Sequence, residues 1–226
     1  MQLLDLFFPK RCIGCGKIGR YFCERCKLRI RVIGEREAIC PVCEKPAIGG
    51  AIHPRCKSRY SIDGLTSFFR YDGPVRKAIK TVKYRLVSDL VFEFIDLIPQ
   101  FAIRQLDNSQ LLVPIPLHSS RLRERGFNQA AILGKLIADK INIPLRTDIL
   151  KRVRKTTPQV EMKKRDDRLK NMGNVFVVNN IAIQQYNNSA IFLFDDVFTT
   201  GATMRAAANI LKRSGVKFVW GVTIAR

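Results

Sequence analysis

The chain has 226 residues, 46% of them hydrophobic and 26% charged, which supports one compact core plus a smaller module and excludes a single small disulfide-stapled domain. No window reaches the roughly 18 unbroken apolar residues of a spanning helix; the nearest, Leu90 to Ile103, is interrupted by Glu93, Asp96, Pro99 and Gln100. The 40 Lys and Arg against 19 Asp and Glu give +21, of which +7 falls in residues 1–63 and +14 in 64–226, so the whole chain rather than a basic tail is suited to polyanions or phosphorylated metabolites.

The amino terminus, MQLLDLFFPKRC, lacks a basic start and carries Asp5 within its apolar stretch. It does not read as a secretory signal, and a cytoplasmic location is expected. Next come three C-x2-C pairs, Cys12/Cys15, Cys23/Cys26 and Cys40/Cys43, and a fourth pair made by His53 and Cys56. A C-x2-C turn aims two thiolates at one ion, and two turns complete a tetrahedral Zn²⁺ set. The pattern therefore predicts two structural Zn²⁺, one held by four cysteines and one by three cysteines and His53. Pairing is either sequential or interleaved; the sequential form closes the shorter loops. Residues 1–60 have only short apolar runs, so metal binding supplies their folding free energy. The glycines Gly14, Gly16 and Gly19 spell G-x-G-x-x-G, but no strand precedes them, and Gly16 reads instead as the positive-φ residue of a metal knuckle.

From residue 61 to 226 the patterning alternates between strands and helices. Gly64 to Tyr71 reads as a strand, and Pro74 opens a basic helix with Val75, Ile79 and Val82 on one face. A second helix is expected over about 88–105, then a buried strand from Leu111 to Ile115 running into a Pro- and Arg-rich loop. Asn128 to Ile141 is amphipathic. Ala190 to Phe194 is an apolar run of the central-parallel-strand type, followed by a helix from Ala202 to Arg213 and a last strand from Lys217 to Ile224. This order is an α/β fold with a mostly parallel sheet, whose ligands bind at the carboxyl ends of the strands.

The most informative stretch is Ile191 to Thr203. An apolar strand presents Asp195 and Asp196 at its tip, where carboxylates accept hydrogen bonds from a vicinal diol. Thr199, Thr200, Gly201, Ala202 and Thr203 then offer backbone N–H groups and hydroxyls to an anion at a helix N-terminus. Diol followed by phosphate is a grip for ribose 5-phosphate.

That stretch resembles the phosphoribosyl pyrophosphate motif of type I phosphoribosyltransferases. With Phe8-Pro-x-x-Cys12 and its knuckles, Val113-Pro-Ile-Pro-Leu-His-x-x-Arg-x-x-x-Arg-Gly-Phe-Asn-Gln129, Thr156-x-x-Gln159 and the closing Thr223-Ile-Ala-Arg226, the chain as a whole resembles the ComF/GntX family. Met162 stands where the family usually shows Leu. The resemblance implies a double zinc ribbon over residues 1–60 and a type I phosphoribosyltransferase-like domain over 61–226. It implies that Asp195 and Asp196 hold the ribose hydroxyls, Thr199 to Thr203 the 5-phosphate, and His118, Ser119, Ser120 and Arg121 the pyrophosphate, with Mg²⁺ carried by the bound phosphoribosyl pyrophosphate. Arg125 reads equally as an exposed charge. The segment Lys151 to Lys170 holds nine basic residues against Glu161, Asp166 and Asp167 and falls where the family has a mobile loop; Lys163, Lys164, Arg165 and Lys170 are its candidate nucleic-acid contacts. The implied role is single-stranded DNA uptake and handling in natural transformation, beside a DNA-uptake helicase or translocase. The alternative is an active phosphoribosyltransferase on an unidentified base or nucleotide, with the ribbons docking a partner; no acceptor pocket is evident from sequence, and fold does not settle function.

Overall fold

In chain order the elements are α1 (Glu24–Lys27), β1 (Gly64–Phe69), α2 (Gly73–Tyr84), α3 (Ser88–Asp96), α4 (Gln100–Arg104), β2 (Leu111–Pro114), α5 (Ser119–Arg125), α6 (Gln129–Lys140), β3 (Leu150–Arg152), β4 (Phe176–Val178), α7 (Asn180–Gln184), β5 (Ala190–Val197), α8 (Ala202–Arg213) and β6 (Phe218–Ala225). They come from a computed structural model that describes residues 9–84, 88–104, 106, 111–154, 175–184, 186 and 190–226. Four strands form one sheet in the order β1-β6-β5-β2, parallel throughout. β3 and β4 make a separate antiparallel pair.

The central strands are apolar because both faces of the sheet are covered. Phe192 and Phe194 point to one side, among Val75, Ile79 and Val82 of α2, Leu90 and Phe94 of α3, and Leu133 and Ile137 of α6. Ile191 and Leu193 point to the other, among Met204, Ala207 and Leu211 of α8 and Leu150 and Phe176 of the hairpin. Each large apolar side chain taken from water contributes about 1.5–3 kcal/mol, so the alternation along β5 fixes its register: a slip by one residue would exchange the two faces.

Both sheet edges are covered. At β2, Leu112 N–H donates to Pro144 O (2.9 Å) and Arg146 N–H to Leu112 O (3.0 Å). At β1 the cover is the cysteine-rich module: Ile33 N–H donates to Phe68 O (2.8 Å), Arg70 N–H to Arg31 O (2.9 Å) and Ile52 N–H to Asp63 O (2.9 Å). Gly50, at φ 80, lies so close that a Cβ there would sit 2.1 Å from Leu65 O. The module also enters the sheet's own core, where the fully buried Phe22 stacks on Phe94 at 5.7 Å between ring centres.

The strands lie close to where the sequence puts them, with three differences elsewhere. The helix expected over 88–105 is two helices, because Pro99 cannot continue α3 and α4 restarts at Gln100. The loop expected after β2 contains α5, a helix with no buried residue that is held by its ends: the His118 side chain accepts from Ser120 N–H, and Gly126 closes it at φ 81. The hairpin β3–β4 and α7 are additions. β5 also runs on to Val197, so both carboxylates belong to the strand, Asp195 opposite Thr223 of β6.

Candidate metal centres and phosphate site

The cysteines gather sequentially. Cys12, Cys15, Cys23 and Cys26 form one set and Cys40, Cys43, His53 and Cys56 the other, each with its ligand atoms within 4.8 Å of one another. Two knuckles share one backbone design. Gly16 N–H donates to Cys12 O (2.7 Å) and Cys12 N–H to Lys17 O (2.8 Å); Glu44 N–H donates to Cys40 O (2.9 Å) and Cys40 N–H to Lys45 O (2.9 Å). The fifth residue of each turn takes positive φ, 81° at Gly16 and 61° at Glu44, which costs glycine nothing and is uncommon for glutamate.

The donor sets fit structural Zn²⁺. Burial opposes the Cys12 thiolate, but hydrogen bonds from the backbone of Cys23, Cys15 and Gly14 bring it down to about 6, whereas burial pushes Cys26 up to about 12. A thiol so placed releases its proton to solvent when a cation takes up the thiolate. In the second set His53 Nε2–H donates to Pro46 O (2.9 Å), leaving Nδ1, 3.2 Å from Cys43 Sγ, as the ligand atom.

The second cluster lies at the carboxyl ends of β5 and β2. Asp195 and Asp196 are adjacent, yet the strand turns them to opposite faces. Asp196 is buried on the α2 side, with Lys83 Nζ 2.8 Å from its Oδ2. Burial works against the Lys83 ammonium, but the charge and hydrogen bond of Asp196 outweigh it and the net shift is upward. Asp195 faces the α8 side, and its Oδ1 accepts from Asp196 N–H (2.8 Å). Burial, reinforced by the neighbouring Asp196 charge, pushes Asp195 up to about 8.

After β5 the chain makes a tight turn. Phe198 N–H donates to Ala225 O (2.9 Å), and Arg205 N–H to Gly201 O (2.8 Å) as α8 begins. Gly201 stands at φ 66, where a Cβ would meet the Phe198 ring at 2.4 Å. Thr200 Oγ1 is buried and has no hydrogen-bond partner among the described residues. A buried hydroxyl without a partner costs about 1–3 kcal/mol, and an anion seated on the turn would satisfy it. Of the residues following β2, His118 Nδ1 is engaged with Ser120 Oγ (2.8 Å), while Arg125 bonds Gln129.

Residues 3–57 match the double zinc ribbon domain family. The chain is 29% identical to competence protein ComFC of Bacillus subtilis over 208 residues, covering 85% of this chain and 78% of that protein. It is 32% identical to competence protein F of Haemophilus influenzae over 123 residues, 54% of this chain and 53% of that protein. With DNA utilization protein YhgH of Salmonella typhimurium it shares 27% identity over 205 residues, 86% of each. The chain is similar to proteins of the ComF family. Its mixed α/β architecture, with a four-stranded parallel sheet and an amino-terminal cysteine-rich module, is consistent with a phosphoribosyltransferase-like fold.

The structure adds site residues that the sequence does not single out. Lys83 is one. Arg152, on β3, is another: burial and then the charge of Arg121 lower its pKa, with Asp195 partly offsetting them, so two guanidinium groups and a carboxylate share the side of the sheet that holds the Gly201 turn. Arg152 falls in the basic segment 151–170, but the sequence does not separate it from the other basic residues there, because its neighbours come from α5 and β5. Lys163, Lys164, Arg165 and Lys170, with Thr156 and Gln159, lie outside the described residues. Among the described residues no helix is long and apolar enough to cross a membrane.

Proposed function

We propose that this protein binds phosphoribosyl pyrophosphate, or a related ribose phosphate, at the carboxyl ends of β5 and β2 and acts in single-stranded DNA uptake and handling during natural transformation. The observation that carries the ligand reading is the buried hydroxyl of Thr200, without a hydrogen-bond partner among the described residues, in the turn between the strand-end carboxylates and α8. The 5-phosphate occupies the turn from Thr199 to Thr203, with the Thr200 hydroxyl and the α8 N-terminus as its donors. Asp195 and Asp196 receive the ribose hydroxyls, Asp196 once Lys83 gives way. The pyrophosphate lies toward His118 to Arg121, where Arg121 and Arg152 supply positive charge. Mg²⁺ arrives with the diphosphate and screens it.

Residues 1–60 act as a double zinc ribbon joined to a ligand-binding domain over 61–226. Three relatives carry names that speak of competence or DNA utilization, and the +21 charge suits a polyanion. The segment 151–170 is the proposed DNA path, and its stem strands β3 and β4 put Arg152 near Asp195. A cytoplasmic setting beside a DNA-uptake helicase or translocase follows from that role.

The alternative is an active phosphoribosyltransferase on an unidentified base or nucleotide, with the ribbons docking a partner. Pyrophosphate release from phosphoribosyl pyrophosphate and Mg²⁺ that depends on an added small-molecule extract would single out that reading.

Thermal melting tests the first. Phosphoribosyl pyrophosphate with Mg²⁺ at about 100 times its Kd should stabilise the protein by about 2.7 kcal/mol, and Asp195→Ala with Asp196→Ala should remove the shift. Equal protection of the double variant would place the ligand elsewhere.

A further inference from the structure

In each metal set the first knuckle is gripped by a helix that flanks the candidate ligand site. Lys77 Nζ of α2 donates to Gly14 O, inside the Cys12/Cys15 turn, at 2.8 Å. Arg205 Nη1 of α8 donates to Pro41 O, inside the Cys40/Cys43 turn, at 2.8 Å. The second grip reaches the phosphate turn itself. Arg205 N–H bonds Gly201 O at 2.8 Å, and a Cβ on Gly201 would sit 2.6 Å from Arg205 Nη1. One guanidinium nitrogen, Nη1, thus bonds a metal knuckle and packs against the Gly201 turn, to which the Arg205 backbone is also bonded.

We propose that Arg205 is a positioning residue that couples the second metal set to the Thr199–Gly201 turn, so that metal on Cys40, Cys43, His53 and Cys56 orders the phosphate site. The inference rests on the reading of that turn as a phosphate cradle. The physical basis is that Pro41 lies between two metal ligands. Its carbonyl holds one direction only while both thiolates are tied to the same ion, because the free energy of metal binding is the folding free energy of such a turn. The planar guanidinium transmits that fixed point to Gly201 with little rotamer freedom of its own. Coupling of this kind is reciprocal, so a ligand on the turn also tightens retention of the second metal.

The test uses the full-length, zinc-loaded chain as wild type, Arg205→Gln, Cys43→Ser and the double variant. Amide hydrogen exchange is read at Thr199 to Met204, and affinity for phosphoribosyl pyrophosphate with Mg²⁺ is measured beside it. Each single variant should speed exchange in the turn at least about fivefold, the double should be no faster than Cys43→Ser alone, and Arg205→Lys should recover part of the protection. Affinity should fall in the same non-additive way. Unchanged exchange in Arg205→Gln, or a double variant whose effect is the product of the two singles, overturns the coupling. Arg205→Gln touches no metal ligand, so it decides the matter alone if Cys43→Ser unfolds the ribbon. If exchange responds as expected while none of the four proteins binds the ligand, the coupling stands and the phosphoribosyl reading falls.

Discussion

At Asp195 a carboxyl that normally titrates near 3.8 is pushed up to about 8, whereas its neighbour Asp196 is held by Lys83. The consequence for stability has a definite sign. Between about pH 4 and 8 the folded protein keeps a proton on Asp195 that the unfolded chain has lost, so the folded state binds more protons and its stability falls as pH rises through that window. Asp195→Asn removes the titration. The wild-type melting temperature should therefore drop from pH 5 to 8, while the variant should be flatter by at least about 2 °C. Parallel pH profiles would show that Asp195 is ionised throughout. The same protonation makes Asp195 a hydrogen-bond donor as well as an acceptor near neutrality, which suits a diol whose hydroxyls can play either part.

Among the elements, what could be read from sequence was what local chemistry decides. β5 and β2 announce themselves as unbroken apolar runs, α8 by its small-residue start, and the metal sets by C-x2-C spacing. Three-residue strands such as Leu150–Arg152 are too short for any period to show, and α5, SSRLRER, has no apolar face because it buries nothing. Its helicity depends on its His118 and Gly126 ends. The site was legible to the extent that it is one stretch, Asp195 to Thr203. Lys83, Arg152 and Arg205 join it only through the fold, from α2, β3 and a turn further along α8. The same limit applies to the ribbon, whose cysteines predict metal but not its seat on the β1 edge. That seat leads to a prediction. The protein should carry two Zn²⁺ per chain, and chelation should strip the cover from β1 and expose Phe22 and Phe94, so that the protein self-associates through an open strand edge. Metal analysis and light scattering check this; a chelated chain that stays monomeric with an unchanged melting curve would contradict it.

For the molecule as a whole, charge and ligand site belong to one scheme. Metallation leaves a net charge of about +18, because the thiolates give up seven protons against two Zn²⁺, and that excess should draw single-stranded DNA with little sequence preference. Affinity should fall with salt at a log–log slope of about −0.7 for each phosphate neutralised. Replacing Lys163, Lys164, Arg165 and Lys170 by Gln should flatten the slope without loss of zinc, and anisotropy that stays level at low salt would rule out direct DNA binding. If the turn before α8 is built for a phosphate, Thr200→Val is the substitution that reveals it. Valine keeps the shape and removes the buried hydroxyl, which has no hydrogen-bond partner among the described residues. Calorimetry with phosphoribosyl pyrophosphate and Mg²⁺, beside thermal melting of the free protein, should show binding weakened about tenfold while stability without ligand is unchanged or raised. A free protein destabilised by the substitution, with binding unaltered, would mean that the hydroxyl serves the fold and that the turn is no phosphate site.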